Sequence, residues 1–598
     1  MTVADLPRWD LTPFFPSLDS SEFRQALDSA EAEIRAMQVL FDKHNVRRRT
    51  ESEVDTALVT AWEDVTTALN GTLEEVHLLE AYLACLVTTN AKDEIAQSFE
   101  SRLETAAQPL QQLMTRYTAW CGTTDIDELQ KRSPLAAQYG YLLSRAQQLA
   151  GHQMSESEEA LAVDLRSSGL AAWGALHGKM SALLSAPVDA GKGVEQLPLS
   201  AVRALAADAD RAVRQRAWEA EQVAWESVSV PLAAALNGIK GWQQTLRARR
   251  SFGSDVEPTL IANGIDAITL EAMQAACIES FPDFHRYLRA KAKWLGVPVL
   301  AWWDISAPVG KEARIWGWAE ASEFVASSFN RYSARLGDFA TAAFRDEWVD
   351  AGPRLGKEGG AYCMGLSPGV SRVLMNFSGS FTDVSTLAHE LGHAYHNLNL
   401  GKHAILQRRT PSTLAETASI FCETLTFDGA LQGASSDDTI VLLDTVLQRN
   451  LQVVVDIHSR FLFERGVFQR RAQRNLTVTE LCDLMTECQR AAYDSAVDPL
   501  HPWMWAVKGH YYGPTFYNYP YTYGLLFGLG LYSLYRNSSD TFKPQYDDLL
   551  ASTGTADAVS LAARFGIDVT STSFWRASLD IIRGQIAEFE SAVAAAGK

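Results

Sequence analysis

Apolar residues recur at helical spacing through the amino-terminal third of the chain. In residues 20–43, one face of a helix would carry Phe23, Leu27, Ala30, Ile34, Met37 and Phe41. Similar patterns cover residues 52–89, 94–119 and 156–185, and few alternating apolar runs indicate strands. The sequence therefore predicts a mainly α-helical protein whose first third is a helical bundle.

A segment rich in glycine and aspartate interrupts this helical pattern. Residues 187–193 include Asp189, Gly191 and Gly193, which predict a loop. Another helical stretch begins near Leu199. We therefore predict an amino-terminal helical domain at residues 1–195 and a second domain at residues 196–598.

The charge balance of the chain limits the kinds of partner it can bind. Lys and Arg number 53 against 72 Asp and Glu, which gives a formal net charge of -19. Such a chain repels phosphate backbones and anionic lipid surfaces. We expect no nucleic-acid partner and no membrane association.

Cysteine usage and the first residues of the chain predict where the protein resides. The seven cysteines are odd in number and have no paired spacing, so we expect free thiols. The first 22 residues have no basic start followed by an apolar block, and residues 511–535, although uncharged, contain too short an apolar run to span a membrane. These features predict a cytoplasmic protein.

A glycine-rich region at residues 352–379 departs from the helical pattern. It contains two short strand candidates, Ala361–Leu366 and Val373–Phe377. We predict a small β-sheet there, shortly before the main chemical motif of the chain.

That motif is His389-Glu390-Leu391-Gly392-His393, within a helix predicted at residues 386–400. Residues four apart lie on the same face of a helix, so His389 and His393 can bind one metal ion. Two imidazoles suit zinc, and a catalytic zinc site needs a third protein ligand and an open position. The third ligand must come from another part of the chain.

Two carboxylates in the next predicted helix are candidates for that ligand. Glu416 and Glu423 lie seven residues apart, about two helical turns, and would share one face. One could bind the metal while the other orients a ligand histidine through its free ring nitrogen. Spacing alone does not assign the two roles.

Several further segments resemble the oligoendopeptidase F branch of the thimet oligopeptidase family of zinc metallopeptidases. They occur in the order of that family and are Gly356–Cys363, Asn376–Ser380, Leu387–His396, Leu414–Glu423, His510–Tyr512 and Phe516–Gly524. The specific motifs lie at roughly 350–425 and 505–530. The amino-terminal third follows the family mainly in order and length.

The resemblance implies a large, clam-like, two-lobed helical fold with a deep central channel and a small sheet beside the zinc-binding helix. It implies one zinc ion (Zn²⁺) per chain, bound by His389, His393 and Glu416, with Glu423 orienting a ligand. Glu390 would be the general base for a zinc-activated water. Residues 196–598 would then form the catalytic domain of an oligoendopeptidase that cleaves internal bonds of short unstructured peptides.

The tyrosine-rich segment supplies further catalytic candidates under the same resemblance. A developing oxyanion needs donors aimed at it, and we predict His510, Tyr517 and Tyr521. The register stays open, because the same role could fall to Tyr512, Tyr519 or Tyr523.

A second group of candidates would contact the substrate. The segment has little side-chain bulk where it begins, so a peptide backbone could pair with the sheet edge there. Its residues are Gly359, Gly360, Ala361 and Tyr362.

Two other functions are compatible with the sequence. A zinc carboxypeptidase or dipeptidyl carboxypeptidase would need a cation for the free substrate carboxylate, and Lys508 is the one cation close to the tyrosine-rich segment in sequence. A non-catalytic peptide-binding scaffold would have no need of Glu390. Monomer and dimer both remain open.

Overall fold

The fold is mainly helical, as the apolar spacing predicts. The computed structural model describes residues 6–51, 53–191, 193–310, 314–537 and 539–597. Helices account for 71% of the chain and strands for 4%. The predicted clam-like shape and channel stay predictions.

The helices, in chain order, have the following bounds. They are α1 Ser21–Lys43, α2 Thr56–Thr89, α3 Glu94–Gly122, α4 Ile126–Arg132, α5 Pro134–Gln138, α6 Gly140–Ala150, α7 Glu156–Arg166, α8 Ala172–Leu183, α9 Leu199–Ala204, α10 Arg211–Ser227, α11 Ser229–Arg249, α12 Glu257–Asn263, α13 Ala267–Leu295, α14 Trp318–Tyr332, α15 Ala334–Arg345, α16 Phe381–Leu400, α17 Ser412–Ala415, α18 Thr417–Gln432, α19 Ser436–Leu451, α20 Ile457–Arg471, α21 Val478–Tyr493, α22 Met504–Val507, α23 Tyr519–Asn537, α24 Ser539–Ser552, α25 Ala558–Arg564 and α26 Thr572–Ala595.

The described residues form two small sheets. The first is an antiparallel hairpin of β1 (Ser185–Asp189) and β2 (Val194–Pro198). The second contains β3 (Val349–Asp350), β4 (Tyr362–Ser367) and β5 (Val370–Leu374) in the order β3-β5-β4. Strand β5 runs parallel to β3 and antiparallel to β4, so β4 is an edge strand.

Two compact units make up the chain, and both are assembled from separate stretches of sequence. Unit 1 comprises Met1–Glu156, Arg314–Gly429 and Leu534–Phe565, and unit 2 comprises the remainder. Long-range packing thus gathers segments that are distant in sequence into each unit. The predicted domain ranges 1–195 and 196–598 stay predictions. The predicted catalytic range 196–598 stays a prediction about function.

The core of unit 1 is built on α1, α2 and α3. All six apolar residues predicted on the inner face of α1 are buried, and the Ser20 hydroxyl accepts a hydrogen bond from Phe23 N to cap the helix. Phe15, Phe23 and Tyr82 pack edge to face or tilted, with ring centroids 5.0–5.7 Å apart. Leu366 of β4 joins the same core, so the small sheet is packed against this bundle.

The core of unit 2 is rich in aromatic residues and contains a buried ion pair. Phe463 and Tyr511 have ring centroids 5.0 Å apart. Lys240 Nζ lies 2.6 Å from Glu464 Oε1, and both side chains are 1% exposed. A buried pair of this kind holds α11 and α20 in one arrangement, since removing either partner would leave an uncompensated charge.

Several predicted boundaries are wrong for local reasons. The second strand is Val370–Leu374, not Val373–Phe377. It begins earlier than predicted because the chain turns tightly at Pro368 and Gly369, where Gly369 has a φ of +76°. Part of the predicted loop at residues 187–193 belongs to the β1–β2 hairpin, whose turn is closed by Asp189 Oδ1, which accepts from the N–H groups of Gly191 and Gly193.

The predictions about thiols and the uncharged stretch hold. All seven cysteines are free. The apolar part of residues 511–535 forms most of α23, which is largely buried. Within the described ranges, every helix falls short of the length and apolarity that a membrane span requires.

Candidate metal centre

The first residues of α16 orient the helix that carries both histidines. Ser380 Oγ accepts a hydrogen bond from Asp383 N at 3.1 Å, and Asp383 Oδ2 accepts from Ser380 N at 3.0 Å. This capping box starts the helix at Phe381, before the predicted range 386–400 and close to Thr382 and Asp383, which the sequence offers as cap candidates. His389 and His393 therefore lie well inside a stable helix.

Close contact between α16 and α18 brings the histidines to the acidic residues. A Cβ atom placed on Gly392 would lie 2.6 Å from Ser419 Cα and 2.7 Å from the carbonyl oxygen of Ala418. Both are backbone atoms, which a side-chain rotation cannot move. Glycine between the two histidines is thus what lets the two helices touch.

We expect Gly392→Ala to lower the free energy of unfolding by about 1–3 kcal/mol, the usual cost of overpacking. The matched control is Gly71→Ala on α2, where a new Cβ meets nothing within 4 Å. The control should gain about 0.5–1 kcal/mol from helix propensity. Denaturant unfolding of both variants measures the two effects, and equal changes would contradict the packing argument.

Glu416 lies at a break between two helices, which corrects the prediction of one continuous helix carrying both acidic residues. Helix α17 ends at Ala415 and α18 begins at Thr417, while Glu416 itself has φ -85° and ψ 3°. Ser419 Oγ donates to Glu416 Oε2 at 2.7 Å and so steadies the carboxylate.

Three donor atoms converge at this break. Glu416 Oε2 lies 3.2 Å from His389 Nε2 and 3.4 Å from His393 Nε2. The donor atoms of the three residues all lie within 4.8 Å of one another, and their side chains are 17–23% exposed. The cluster is therefore compact yet reachable from outside.

Glu423 contacts the other ring nitrogen of the first histidine. Its Oε2 lies 3.2 Å from His389 Nδ1. An ionised carboxylate only accepts hydrogen bonds, so Nδ1 carries the proton and Nε2 of the neutral ring presents a lone pair. This is the contact expected of a residue that orients a metal ligand.

These contacts fit a zinc ion. A lone pair on Nε2 and a carboxylate oxygen repel each other unless a proton or a cation lies between them. Two histidine nitrogens and one carboxylate oxygen are the donors found in one class of catalytic zinc sites. His389, His393 and Glu416 would hold the ion.

The surroundings of Glu416 favour its charged form. Burial alone would raise the pKa of Glu416, but its contacts with His389 and His393 outweigh burial and hold that pKa far below the usual range. The carboxylate is therefore available as an anionic ligand.

Glu390 lies next to the first ligand and is 6% exposed. Together with burial, which is the larger effect, its charge raises the pKa of the Cys363 thiol on β4. Burial also raises the pKa of the fully buried Cys422 thiol, so both thiols favour the protonated form.

The segment predicted to bind substrate leads into the edge strand β4. Gly359 and Gly360 are exposed, Gly360 has a φ of +89°, and Tyr362 is the first residue of β4 after Ala361. Asn376 Nδ2 donates to the carbonyl oxygen of Gly360 at 3.1 Å, and so holds the segment in place.

A buried charge cluster supports this segment from below. Lys357 Nζ lies 2.7 Å from Asp350 Oδ1 and also donates to the carbonyl oxygen of Gly352. Arg354 pairs with the same aspartate. Sequence reasoning gave no role to Asp350, Asn376 or Ser419. Asp350 pairs with Arg354 and Lys357, Asn376 donates to a backbone carbonyl group, and Ser419 donates to the carboxylate of Glu416.

Three predicted residues of the tyrosine-rich segment cluster in unit 2. The ring centroid of His510 lies 5.2 Å from that of Tyr517 and 6.1 Å from that of Tyr521, and the two tyrosine rings are 5.7 Å apart. Tyr517 is 38% exposed, and the other two are partly exposed. All three can therefore meet a ligand.

The alternative tyrosines are buried. Tyr512 stacks on His177 at 3.9 Å, Tyr519 donates to the carbonyl oxygen of Thr259, and Tyr523 packs against Trp575. Exposure therefore favours the register of Tyr517 and Tyr521 over the alternatives.

A scan against family models gives two matches. Residues 319–581 match the model described as peptidase family M3, and residues 121–185 match the one described as oligopeptidase F. The chain therefore contains a peptidase family M3 domain at residues 319–581. The M3 match includes the histidine motif, both acidic residues and the tyrosine-rich segment.

Curated relatives carry matching names. This chain is 25% identical over 396 residues to an oligoendopeptidase F homolog of Lactococcus lactis and 25% identical over 397 residues to the group B oligopeptidase PepB of Streptococcus agalactiae. Each match covers 64% of this chain and 65% of the relative, so the chain spans just under two thirds of the relatives' length.

Solved structures share the fold of this chain. The crystal structure of oligoendopeptidase-F from Enterococcus faecium superposes with a TM-score of 0.71 at 17% identity, covering 96% of this chain and 99% of that one. This likeness establishes the mainly helical fold with small sheets.

The remaining histidines near the M3 motif have other partners. His396 Nε2 contacts Thr553 Oγ1 at 2.8 Å, and burial followed by the charge of His393 lowers the pKa of His396 to about 4. His403, which is partly buried, follows the end of α16. Both lie outside the cluster of donor atoms.

A second cation lies near the tyrosine-rich segment. Lys508 is not the one cation near it, because Arg460 Nη1 donates to Asn518 Oδ1 at 3.4 Å. Arg460 comes from α20, which sequence distance alone could not place there. It is 3% exposed and paired with Asp456.

Proposed function

We propose that this M3 chain is a zinc-dependent oligoendopeptidase that hydrolyses internal bonds of short peptides. The observation that carries the proposal is the convergence of His389 Nε2, His393 Nε2 and Glu416 Oε2, with Glu390 adjacent on the same helix. The names of the curated relatives support the substrate class.

The residues divide the chemistry among them. A bound zinc ion would supply Lewis-acid chemistry, acidifying water and polarising a carbonyl group. Glu390 accepts a proton at a carboxylate oxygen from the attacking water and returns it to the leaving nitrogen. Its near-complete burial removes competing water, which strengthens its interaction with the reacting groups.

The substrate meets two further groups of residues in this proposal. The outer edge of β4, which pairs with no further strand among the described residues, is entered through Gly359, Gly360, Ala361 and Tyr362 and offers backbone groups to an extended peptide. The O–H groups of Tyr517 and Tyr521 donate hydrogen bonds to the oxyanion that forms at the scissile carbonyl, and His510 acts in the same reaction.

We expect Glu423→Gln to weaken zinc affinity by about 10- to 100-fold, the usual effect of removing an outer partner of a ligand histidine. The amide cannot match the charge that now fixes the proton on His389 Nδ1. Competition with a chelator measures the affinity, and Glu323→Gln, at an exposed position of α14, is the control. An unchanged affinity in Glu423→Gln would show that this contact does not support the metal.

Peptides blocked at both ends test the proposal against its nearest alternative. The zinc-loaded protein should cleave an internally quenched, doubly blocked peptide at internal bonds, with the products identified by mass. Trimming of free carboxyl ends alone would instead support a carboxypeptidase. The burial of Arg460 against Asp456 argues against that alternative, because its charge is already compensated. Peptide binding without any hydrolysis would support a scaffold.

A further inference from the structure

The loop that carries His510 is anchored to two helices of unit 2. Phe516 N donates to Glu464 Oε1 at 3.0 Å, and the same oxygen pairs with Lys240. These contacts join the loop to α11 and α20 through groups that are almost fully buried. Asn518 follows directly, just before α23 begins.

Asn518 links His510 to a buried arginine. Its side-chain oxygen Oδ1 lies 2.8 Å from His510 Nδ1 and 3.4 Å from Arg460 Nη1. Asn518 is 2% exposed, and in the part of the chain that the structure describes its Nδ2 atom has no hydrogen-bond partner. Leaving a buried amide N–H group unpaired costs free energy. The contacts of Oδ1 must therefore offset that cost and set the orientation of the Asn518 amide.

Arg460 decides that orientation. A guanidinium group has only donors, so it can approach the amide oxygen but not the amide NH₂ group. Asp456 pairs with Arg460 and keeps it in place. The oxygen of Asn518 therefore faces both neighbours, and it can only accept.

The proton position on His510 follows from this. Since Oδ1 of Asn518 accepts, Nδ1 of His510 must donate, and Nε2 of the neutral ring carries a lone pair. Burial is the largest effect on the pKa of His510 and lowers it, and the charges of Arg460 and Lys508 lower it further. The hydrogen bond with Asn518 and the charge of Glu464 raise this pKa but do not outweigh the lowering. The ring is therefore neutral at neutral pH, and its neighbours Tyr517 and Tyr521 carry O–H groups.

We propose that Asn518 is a positioning residue that holds His510 in the Nδ1–H tautomer, so that Nε2 accepts a hydrogen bond from a substrate backbone N–H. The oxyanion donors are then the phenol groups of Tyr517 and Tyr521, since the neutral imidazole has no proton to give at Nε2. The substrate part of this assignment rests on the proposed peptidase function, whereas the tautomer does not.

Nitrogen chemical shifts test the tautomer without any assay of activity. The full chain is labelled with ¹⁵N-histidine, and the signal of His510 is identified by its loss in His510→Gln. We expect a protonated Nδ1 and a bare Nε2 at pH 8. A proton on Nε2 would overturn the proposal, and this measurement remains decisive if the chain hydrolyses no peptide.

The pH profile of kcat/KM tests the link to substrate. In Asn518→Asp the new carboxylate still accepts from Nδ1 and stabilises the imidazolium, which raises the pKa of His510 by about 1 unit or more. Because neutral His510 is the working form, activity is lost as pH falls through that pKa, so the acidic limb should move to higher pH by the same amount. The plateau at high pH should persist.

Asn475→Asp, at an exposed position of the same unit, is the charge control and should leave the profile unchanged. An unmoved acidic limb in a folded Asn518→Asp protein, or an equal shift in both variants, would contradict the role of Asn518. Thermal unfolding checks that the variant folds. If it does not, the nitrogen shifts of the wild-type chain decide the proposal.

Discussion

Glu390→Gln should lower kcat/KM for a doubly blocked peptide by about 10²- to 10⁴-fold, the contribution typical of a general base. Glutamine has nearly the same size and still fits the buried position, but it cannot take a proton from the attacking water. The zinc content should stay at the wild-type level, because Glu390 is not among the three clustered donors. Initial rates and metal analysis on the same preparation measure both quantities.

Glu323→Gln is the matched control for this variant. It makes the same chemical change at an exposed position of α14 and should leave both quantities unchanged. Retained activity in Glu390→Gln would remove the general base from the account. A joint loss of zinc and activity would place Glu390 in metal binding instead.

His393→Ala should lose both bound zinc and hydrolysis at the zinc concentration that saturates the wild-type chain. It removes one of three donors, so the fall in zinc affinity should exceed the ~10- to 100-fold expected for an outer partner such as Glu423. Equilibrium dialysis against a zinc buffer measures the affinity, and the blocked peptide measures the rate. The activity of this variant should recover only at zinc concentrations high enough to refill the site.

His403→Ala is the control, since it removes an imidazole just beyond the end of the same helix. It should keep its zinc and its activity. Wild-type zinc affinity in His393→Ala would show that the ion binds elsewhere, and an equal loss in His403→Ala would point to general destabilisation of unit 1.

Much of the fold is predictable from the sequence because its signals are local. The inner face of α1 and the existence of a sheet near residue 365 follow from the spacing of apolar residues and from glycines within a few positions. The assembly of each unit from separate stretches is not predictable in this way. It depends on contacts between residues hundreds of positions apart, for which one sequence carries no periodic signal.

The candidate site, like the fold, is predictable from the sequence only in part. The spacing of His389 and His393 on one helical face needs only helix geometry, and it fixes which atoms can meet. The helix break at Glu416 escaped prediction, because the sequence around it contains no glycine or proline after Pro411. Two acidic residues seven apart then look like one helical face, whereas a break lets Glu416 turn toward both histidines.

Exposure of the tyrosines was also beyond sequence reasoning. Tyrosines alternate with other residues from Tyr517 to Tyr523, so no pattern distinguishes the ligand-facing ones from the packed ones. The structure separates them because Thr259 and Trp575, far away in sequence, bury two of them. The contact of Arg460 with Asn518 belongs to the same class of long-range information.

A zinc titration of metal-stripped protein tests the central claim most directly. Bound zinc and cleavage of a doubly blocked peptide are followed in the same sample. We predict that stripped protein is inactive, that activity rises in proportion to bound zinc, and that it reaches its plateau at one ion per chain. Hydrolysis by fully stripped protein, or zinc binding that restores no cleavage, would contradict the account.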